Sequence, residues 1–215
     1  MTLISRVGTV ATGILLGLVL ACPPVLADIK LPAPTTTGGL GVFDALKQRS
    51  SSAGGDLGKA ISQEDLSTIL WAASGLNRGV KGWTVPMAMG SAPYCQVYAA
   101  SADGVFMYNW ADHALKEISR SDIRGEIGAQ PFVKNAGGIF IIVADSQALS
   151  SYDQTTADEF SNVLAGAMTQ NIYLAATGLD IGARYIRSMK IEPIKKELQL
   201  GENDRPVCLM LLGKK

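Results

Sequence analysis

The sequence predicts one domain of the α/β or α+β class, in which helices pack on a mixed sheet. Gly138–Val143 is an almost purely apolar and β-branched run, as in a central strand that is buried on both faces. Thr155–Thr177 repeats apolar side chains at helical spacing and predicts a long helix. Shorter helical and β-rich segments alternate around these two without an internal repeat, which is typical of mixed α and β architectures.

The first 27 residues predict a secretory signal peptide that precedes this domain. One cation, Arg6, comes before the apolar run Val10–Ala21, and the small-residue ending Val25–Leu26–Ala27 follows. The apolar run is short for a membrane span, which needs roughly 20 residues. We therefore expect cleavage after Ala27 and export to the periplasm, with lipidation at Cys22 as an alternative.

The other elements of the domain follow from local signals. In the first half they are an extended arm (residues 28–40), a short helix (Gly41–Gln48), a helix (Ser62–Ser74), a long loop (Val80–Tyr94) and a hairpin (Gln96–Ala100 with Val105–Tyr108). Proline, threonine and glycine favour the arm, which would lie over a neighbour or stay mobile. Ser62 is the expected N-cap of its helix, Gly75 ends that helix, and Ser101–Gly104 is a turn signal.

The second half predicts four shorter elements around the long helix. They are a helix over Ser121–Ile127, a strand over Ala183–Ile186, a helix over Pro193–Leu200 and a last strand over Val207–Leu212. Proline in the first turn and glycine after the end support the third of these. The small residues Ala165–Ala167 would let another backbone approach the long helix, so we expect a buried central helix or a subunit contact.

Composition excludes several functions. The chain has 19 basic and 19 acidic side chains without a basic cluster, which argues against nucleic-acid binding. Cys95 and Cys208 are predicted to be buried free thiols, with a disulfide as an alternative in an oxidising compartment. The single histidine, His113, lies in a charged segment and is expected to be solvated. Without a second histidine or a CxxC spacing, no metal site is predicted.

Leu46–Gly55 is the stretch with the clearest chemistry. Arg49 is followed by three serines and then by glycines. A guanidinium fork, hydroxyls and loop amides together can wrap a phosphate dianion, although such a run is also typical of a flexible loop.

Six stretches support a more specific interpretation through their order and spacing. They are Asp44–Ser52, Leu70–Arg78, Val97–Tyr108, Gln130–Val133, Gln170–Leu179 and Leu212–Lys215. In this order they resemble the flavin-dependent nitroreductase family, particularly its exported, thiazole-oxidase-like branch. The resemblance covers nearly all of the mature chain and implies a nitroreductase-like domain over residues 41–215. The resemblance implies an α+β, nitroreductase-like mixed sheet flanked by helices, in an intertwined homodimer.

The resemblance also implies an enzyme that holds FMN at the subunit interface. The flavin would take a hydride, usually from NAD(P)H, and pass electrons to a nitro, quinone or similar small-molecule acceptor. Because the flavin supplies this chemistry, no catalytic side chain is predicted. The physiological donor stays open, since soluble NAD(P)H is not expected outside the cytoplasm.

Site residues follow from the resemblance by position. The implied cofactor-binding residues are Arg49, Ser50, Ser51, Gly182, Ala183, Arg184 and Lys215. The first three would hold the phosphate, the segment Gly182–Tyr185 would bring backbone N–H groups to the N5 edge of the flavin, and Lys215 or Lys214 would be a C-terminal cation for the phosphate.

Two segments depart from the family pattern. Ala53 stands where a second cation is usual, and Gly55 stands where an aromatic residue often follows. Pro86–Ser91 lacks the asparagine expected in its loop. A second hypothesis is therefore a noncatalytic relative that uses a degenerate flavin pocket to bind another ligand or a partner.

Overall fold

A computed structural model describes residues 28–87 and 92–215. The predicted signal peptide and Cys22, and most of the Pro86–Ser91 segment, lie outside the described residues. The strands are β1 (Asp28–Lys30), β2 (Cys95–Ser101), β3 (Gly104–Asn109), β4 (Ala114–Ser119), β5 (Gly138–Ala144), β6 (Ile181–Ile186) and β7 (Arg205–Lys214). The helices are α1 (Val42–Gln48), α2 (Gln63–Ser74), α3 (Arg124–Ile127), α4 (Gln154–Gly178) and α5 (Ile191–Glu197), with 3₁₀ helices at Gly54–Leu57 and Pro131–Asn135.

The strands form one seven-stranded sheet in the order β1-β4-β3-β2-β5-β7-β6. Each described pair of neighbours is antiparallel. The α+β class is therefore confirmed, whereas the mixture of parallel and antiparallel strands that we expected is not found among the described pairs. The reason is that β2, β3 and β4 follow one another through short turns, and that β7 enters between β5 and β6 against the direction of both.

Strand β5 is the centre of the core, as its apolar sequence predicts, and all seven of its residues are buried. Phe140 and Ile142 face a layer that contains α2 and α4. Ile139 and Ile141 face the opposite layer, which contains α3, α5 and the 3₁₀ helices. Each such side chain contributes roughly 1.5–3 kcal/mol by leaving water, so both faces of the sheet are anchored through this strand.

The two long helices begin at side-chain caps. The Ser62 hydroxyl accepts a hydrogen bond from the Asp65 amide at 3.1 Å, as predicted for α2. The carboxylate of Asp153 does the same for the amide of Thr156 at 3.0 Å and begins α4. In contrast, the predicted cap Ser121 does not begin α3, which starts at Arg124, because Asp122 accepts the Arg124 amide instead.

Two strands were not predicted. β4 reads as a charged segment, but Ala114 and Leu115 are buried where β3 and β1 pair with it on either side. β1 consists of only three residues of the extended arm, and all three are exposed. Neither strand has enough apolar residues for an alternating pattern to be recognised. Both segments are therefore strands because of the strands that they pair with, not because of their local sequence.

The expectation that His113 is solvated is wrong. It has φ of 49° in the turn between β3 and β4, and its ring is partly buried. The phenol of Tyr108 lies 2.9 Å from Nδ1, and the Ser67 hydroxyl lies 2.7 Å from Nε2. The Pro32 carbonyl is 3.0 Å from the same Nε2, so the histidine joins the extended arm to α2 and β3.

Cys95 and Cys208 are free and buried. They lie on β2 and β7, which are separated by β5, and two strand spacings amount to about 9–10 Å. That separation exceeds the Cα distance of a disulfide, so the alternative of a Cys95–Cys208 bridge is wrong. Burial raises the pKa of both thiols to about 12, which makes them weak nucleophiles.

Neither a membrane span nor a metal cluster is found in the parts of the chain that the structure describes. Within residues 28–87 and 92–215, none of the helices combines the length and apolar character of a membrane span. The same residues contain no group of three or more histidine, cysteine, aspartate and glutamate side chains that could hold a metal ion.

Candidate functional site

The serine-rich loop after α1 wraps around the open edge of the sheet at β6. The Ser52 amide donates a hydrogen bond to the Ala183 carbonyl at 2.9 Å. The Ser52 carbonyl accepts one from Nη1 of Arg184, also at 2.9 Å. Both backbone groups of Ser52 are thus bonded to the edge strand. The sheet thereby brings Arg49–Ser52 against Gly182–Arg184, two segments that are far apart in sequence.

Two glycines allow this close approach. A Cβ atom at Gly182 would lie 2.6 Å from Cδ2 of Leu57 and 2.9 Å from the Ser52 hydroxyl. A Cβ atom at Gly213, on the neighbouring strand β7, would collide with the Leu57 carbonyl oxygen. Because neither position has a side chain, the loop and the 3₁₀ helix after it lie directly on the two strands.

Tyr173 of α4 lies beneath the loop and was missed as a site residue. Its hydroxyl lies 2.8 Å from the Ser51 hydroxyl and accepts a hydrogen bond from the Tyr185 amide at 2.7 Å. The Arg49 guanidinium carbon lies 5.1 Å from the centroid of its ring. The one sequence signal was a tyrosine that has small residues, Ala176 and Thr177, one helical turn further along α4, because a buried phenol needs a polar partner.

The site is rich in unpaired positive charge. The ion pairs among the described residues join Arg120 to Glu117, Arg124 to Asp122, Arg205 to Asp158 and Lys215 to Asp180. Neither Arg49 nor Arg184 is among them. The Arg184 guanidinium lies 5.3 Å from the centroid of the Phe132 ring, and its buried Nε has no hydrogen-bond partner within the described part of the chain. Two guanidinium groups without carboxylates favour an anionic ligand.

Fewer described contacts join the remaining predicted site residues, Ser50 and Lys215, to the rest of the site. Ser50 is exposed on the loop beside Arg49. The ammonium of Lys215 lies 3.1 Å from the Asp180 carboxylate, and both side chains are solvated. No described contact brings Lys215 to Arg49 or Ser51. Ala53 is exposed and contributes no charge, so the loop itself contains one cation, Arg49.

The backbone of β6 offers further donors. Because β6 is an edge strand, alternate residues direct both backbone groups away from the sheet. The Ala183 carbonyl and the Tyr185 amide both bond outside the sheet, so the Ala183 amide lies on the same open side. The Tyr185 amide is already bonded to Tyr173. Of the two amides that Gly182–Tyr185 directs to the open edge, the Ala183 amide is thus the one without a bond to Tyr173.

The donor set fits the phosphate of FMN. Arg49 supplies a guanidinium that pairs with none of the described carboxylates, Ser50 and Ser51 supply hydroxyls, and Arg184 adds positive charge behind the loop. A phosphate dianion accepts such bonds from several directions at once and would compensate the charge of the Arg49 guanidinium.

Comparison with known proteins assigns the class. The sequence pattern of the nitroreductase family matches residues 57–214, which is most of the chain. The chain therefore belongs to the nitroreductase family. The match begins after the Arg49–Ser52 loop, so it covers β6 and Tyr173 but not the first half of the site.

Individual relatives agree with this assignment. A nitroreductase-family protein of Methanocaldococcus jannaschii is 28% identical over 167 residues, which cover 72% of this chain and 82% of the relative. The crystal structure of a nitroreductase-family protein from Ralstonia eutropha is 29% identical with a TM-score of 0.81, over 87% of this chain and 89% of that one. An NADPH:FMN oxidoreductase from Vibrio harveyi, solved with NAD⁺, shares the fold, with a TM-score of 0.56 at 19% identity over 80% and 68%.

Proposed function

We propose that this protein is an FMN-dependent oxidoreductase of the nitroreductase type. It would pass electrons from a reduced donor, such as NAD(P)H, to a nitro, quinone or similar small-molecule acceptor. The observation that carries the proposal is the position of Arg49 and Ser51. Both contact Tyr173, which is bonded to β6, and Arg49 has no ion pair among the described residues. Membership of the nitroreductase family supports the same reaction class.

The residues have distinct roles in this proposal. Arg49 and Ser51 would hold the phosphate, and the Ala183 amide would donate to the edge of the flavin ring. The bound flavin supplies the hydride chemistry, so the protein contributes position, charge and exclusion of water. No side chain has to act as a general base.

We further propose that the working unit is a homodimer. Val42, Phe43 and Leu46 form an apolar side of α1 that is exposed in the single chain. On α4, Val163 is also exposed, and a Cβ atom at Gly166 would meet nothing within 4 Å. A second copy that covers these two helices would bury the apolar side chains and close the flavin site at the edge of β6.

Export to the periplasm is part of the proposal and rests on the N-terminal sequence pattern. Mass spectrometry of the protein purified from its native compartment would give a mature N-terminus at Asp28 if cleavage follows Ala27. A mass increased by acyl chains at Cys22 would instead indicate a lipoprotein.

The central experiment is a spectrum followed by a titration. The protein, purified gently, is expected to carry the visible absorption of bound flavin, and the apo form should bind added FMN tightly. Anaerobic NAD(P)H should bleach that absorption, and a nitroaromatic compound or a quinone should restore it. A colourless protein that does not bind added FMN would contradict the proposal.

A noncatalytic flavin-fold protein is the second candidate. Ala53 favours it, because the loop lacks the second cation that would stabilise a reduced, anionic flavin, and Gly55 replaces the aromatic residue that often follows in the family. Bound flavin that no donor reduces would support this candidate, whereas bleaching by any physiological donor would exclude it.

A further inference from the structure

Tyr173 contacts three residues that come from two separate segments of the candidate site. Its phenol oxygen accepts a hydrogen bond from the Tyr185 amide on β6 and lies 2.8 Å from the Ser51 hydroxyl. Its ring lies under the Arg49 guanidinium, 5.1 Å from centroid to the guanidinium carbon. The side chain is buried, with 7% of its surface exposed. The Tyr173 side chain is thus held in place on α4, and the side chains of Arg49 and Ser51 both contact it.

The direction of the hydrogen bonds can be assigned. The phenol oxygen already accepts the Tyr185 amide, and a buried phenol hydrogen requires an acceptor of its own. Among the described residues, the Ser51 hydroxyl oxygen is the acceptor within reach, so we assign Tyr173 as the donor to Ser51. The Ser51 hydrogen is then left free to point into the open site, where it can donate to an anion.

The ring acts on Arg49 in a second way. A guanidinium over an aromatic face is held by the ring quadrupole without the use of its N–H donors. A carboxylate partner would hold the same side chain but would also neutralise its charge. Stacking on Tyr173 therefore positions Arg49 and leaves its charge and donors for a ligand.

We propose that Tyr173 is a positioning residue that sets both Arg49 and Ser51 for a phosphate group. The proposal rests on the proposed function for the identity of the ligand, FMN, but not for the phosphate chemistry. The hydroxyl of Tyr173 determines the direction of the Ser51 donor, and the ring determines the place of the Arg49 guanidinium.

The test compares FMN with riboflavin, which lacks the phosphate. Tyr173→Phe keeps the ring and removes the hydroxyl, and Tyr173→Leu removes both. Without the Tyr173 hydroxyl the Ser51 donor is no longer directed at the phosphate, so FMN should bind Tyr173→Phe about tenfold more weakly and Tyr173→Leu more weakly still. Riboflavin binding should change little, because it does not use Arg49 or Ser51. Tyr108→Phe, which removes a buried hydroxyl bonded to His113, is the matched control.

A merely structural role predicts a different result. If Tyr173 only packs the core, both variants would weaken FMN and riboflavin by the same factor, and the proposal would be overturned. An unchanged FMN affinity in Tyr173→Phe would overturn it as well.

Inorganic phosphate separates this proposal from the proposed function. It should raise the melting temperature of the wild-type apoprotein more than that of Tyr173→Phe, measured by thermal unfolding at matched ionic strength. If phosphate does so while FMN does not bind, the assignment of the flavin fails and the role of Tyr173 stands. If phosphate stabilises the wild type and Tyr173→Phe equally, or neither of them, the role of Tyr173 fails.

Discussion

Arg184 donates a hydrogen bond from Nη1 to the carbonyl of Ser52 at 2.9 Å, which ties the serine-rich loop to the edge strand from the side opposite Tyr173. Its guanidinium also lies over the Phe132 ring. Arg184 thus secures the backbone of the loop, while Tyr173 positions its side chains.

The substitution Arg184→Gln tests this tether. It should lower the free energy of unfolding by about 1–2 kcal/mol, since a charged donor and a ring contact are both lost. FMN affinity should fall as well, because the loop loses one of its two backbone anchors. Chemical denaturation and FMN titration would measure the two effects. Arg120→Gln, at an exposed ion pair with Glu117, is the control and should change stability by less than about 1 kcal/mol.

Gly213→Ala tests whether the 3₁₀ helix after the loop lies directly on the strands. The new Cβ atom would collide with the Leu57 carbonyl oxygen, which is backbone and cannot rotate away. Overpacking of this kind should destabilise the apoprotein by roughly 1–3 kcal/mol in chemical denaturation. Gly55→Ala, where a Cβ atom would meet nothing within 4 Å, should have little effect. Equal stability of the two variants would contradict the described packing.

The sequence was sufficient for the elements whose apolar pattern is long or whose caps are local. The bounds of strand β5 and helices α2 and α4 were predicted within one or two residues. Their signals are local in sequence: an apolar run for β5, a serine cap for α2 and a long helical period for α4. Strands β1 and β4 were missed, since their pairing depends on each other and on β3.

The candidate site could be predicted only in part from the sequence. Arg49 and Ser51 were recognisable because they are neighbours in a distinctive loop. Tyr173 was not, because its role arises from the way that α4 passes beneath the loop. The prediction that His113 is solvated was wrong for a similar reason, because its partners at Nε2, Pro32 and Ser67, come from segments that are distant in sequence.

The N-cap of α2 gives a prediction on local stability. Ser62→Ala removes the acceptor of the Asp65 amide and should cost about 1 kcal/mol of unfolding free energy. Ser121→Ala is the matched control, because Ser121 was predicted as a cap but α3 begins at Arg124. Its substitution should change the free energy by less than half as much in the same urea titration.

The partly buried ring of His113 gives a prediction on the pH dependence of stability. Burial lowers its pKa from the ordinary value of 6.5, with a smaller contribution from the charge of Lys30. The unfolded chain then binds more protons than the native protein between the lowered pKa and 6.5, so stability falls as the pH decreases through that window. Urea titrations from pH 8 to pH 5 should show this decline. In His113→Asn, which tolerates the positive φ, stability should be lower at neutral pH and the decline with pH flatter.

The exposed side chain of Phe43 gives a prediction on the oligomeric state. Its side chain is 83% exposed in the single chain and lies beside Val42 and Leu46 on α1. Phe43→Asp would place a charge in the proposed dimer contact, where it would be desolvated without a partner, so the variant should be monomeric in light scattering after size exclusion. FMN affinity should fall with it if the second copy closes the site. Val80→Asp changes a side chain that is 85% exposed in the turn after α2, outside the two helices of the proposed contact, and it should leave the dimer intact. A Phe43→Asp protein that stays dimeric with wild-type FMN affinity would show that α1 is not the contact.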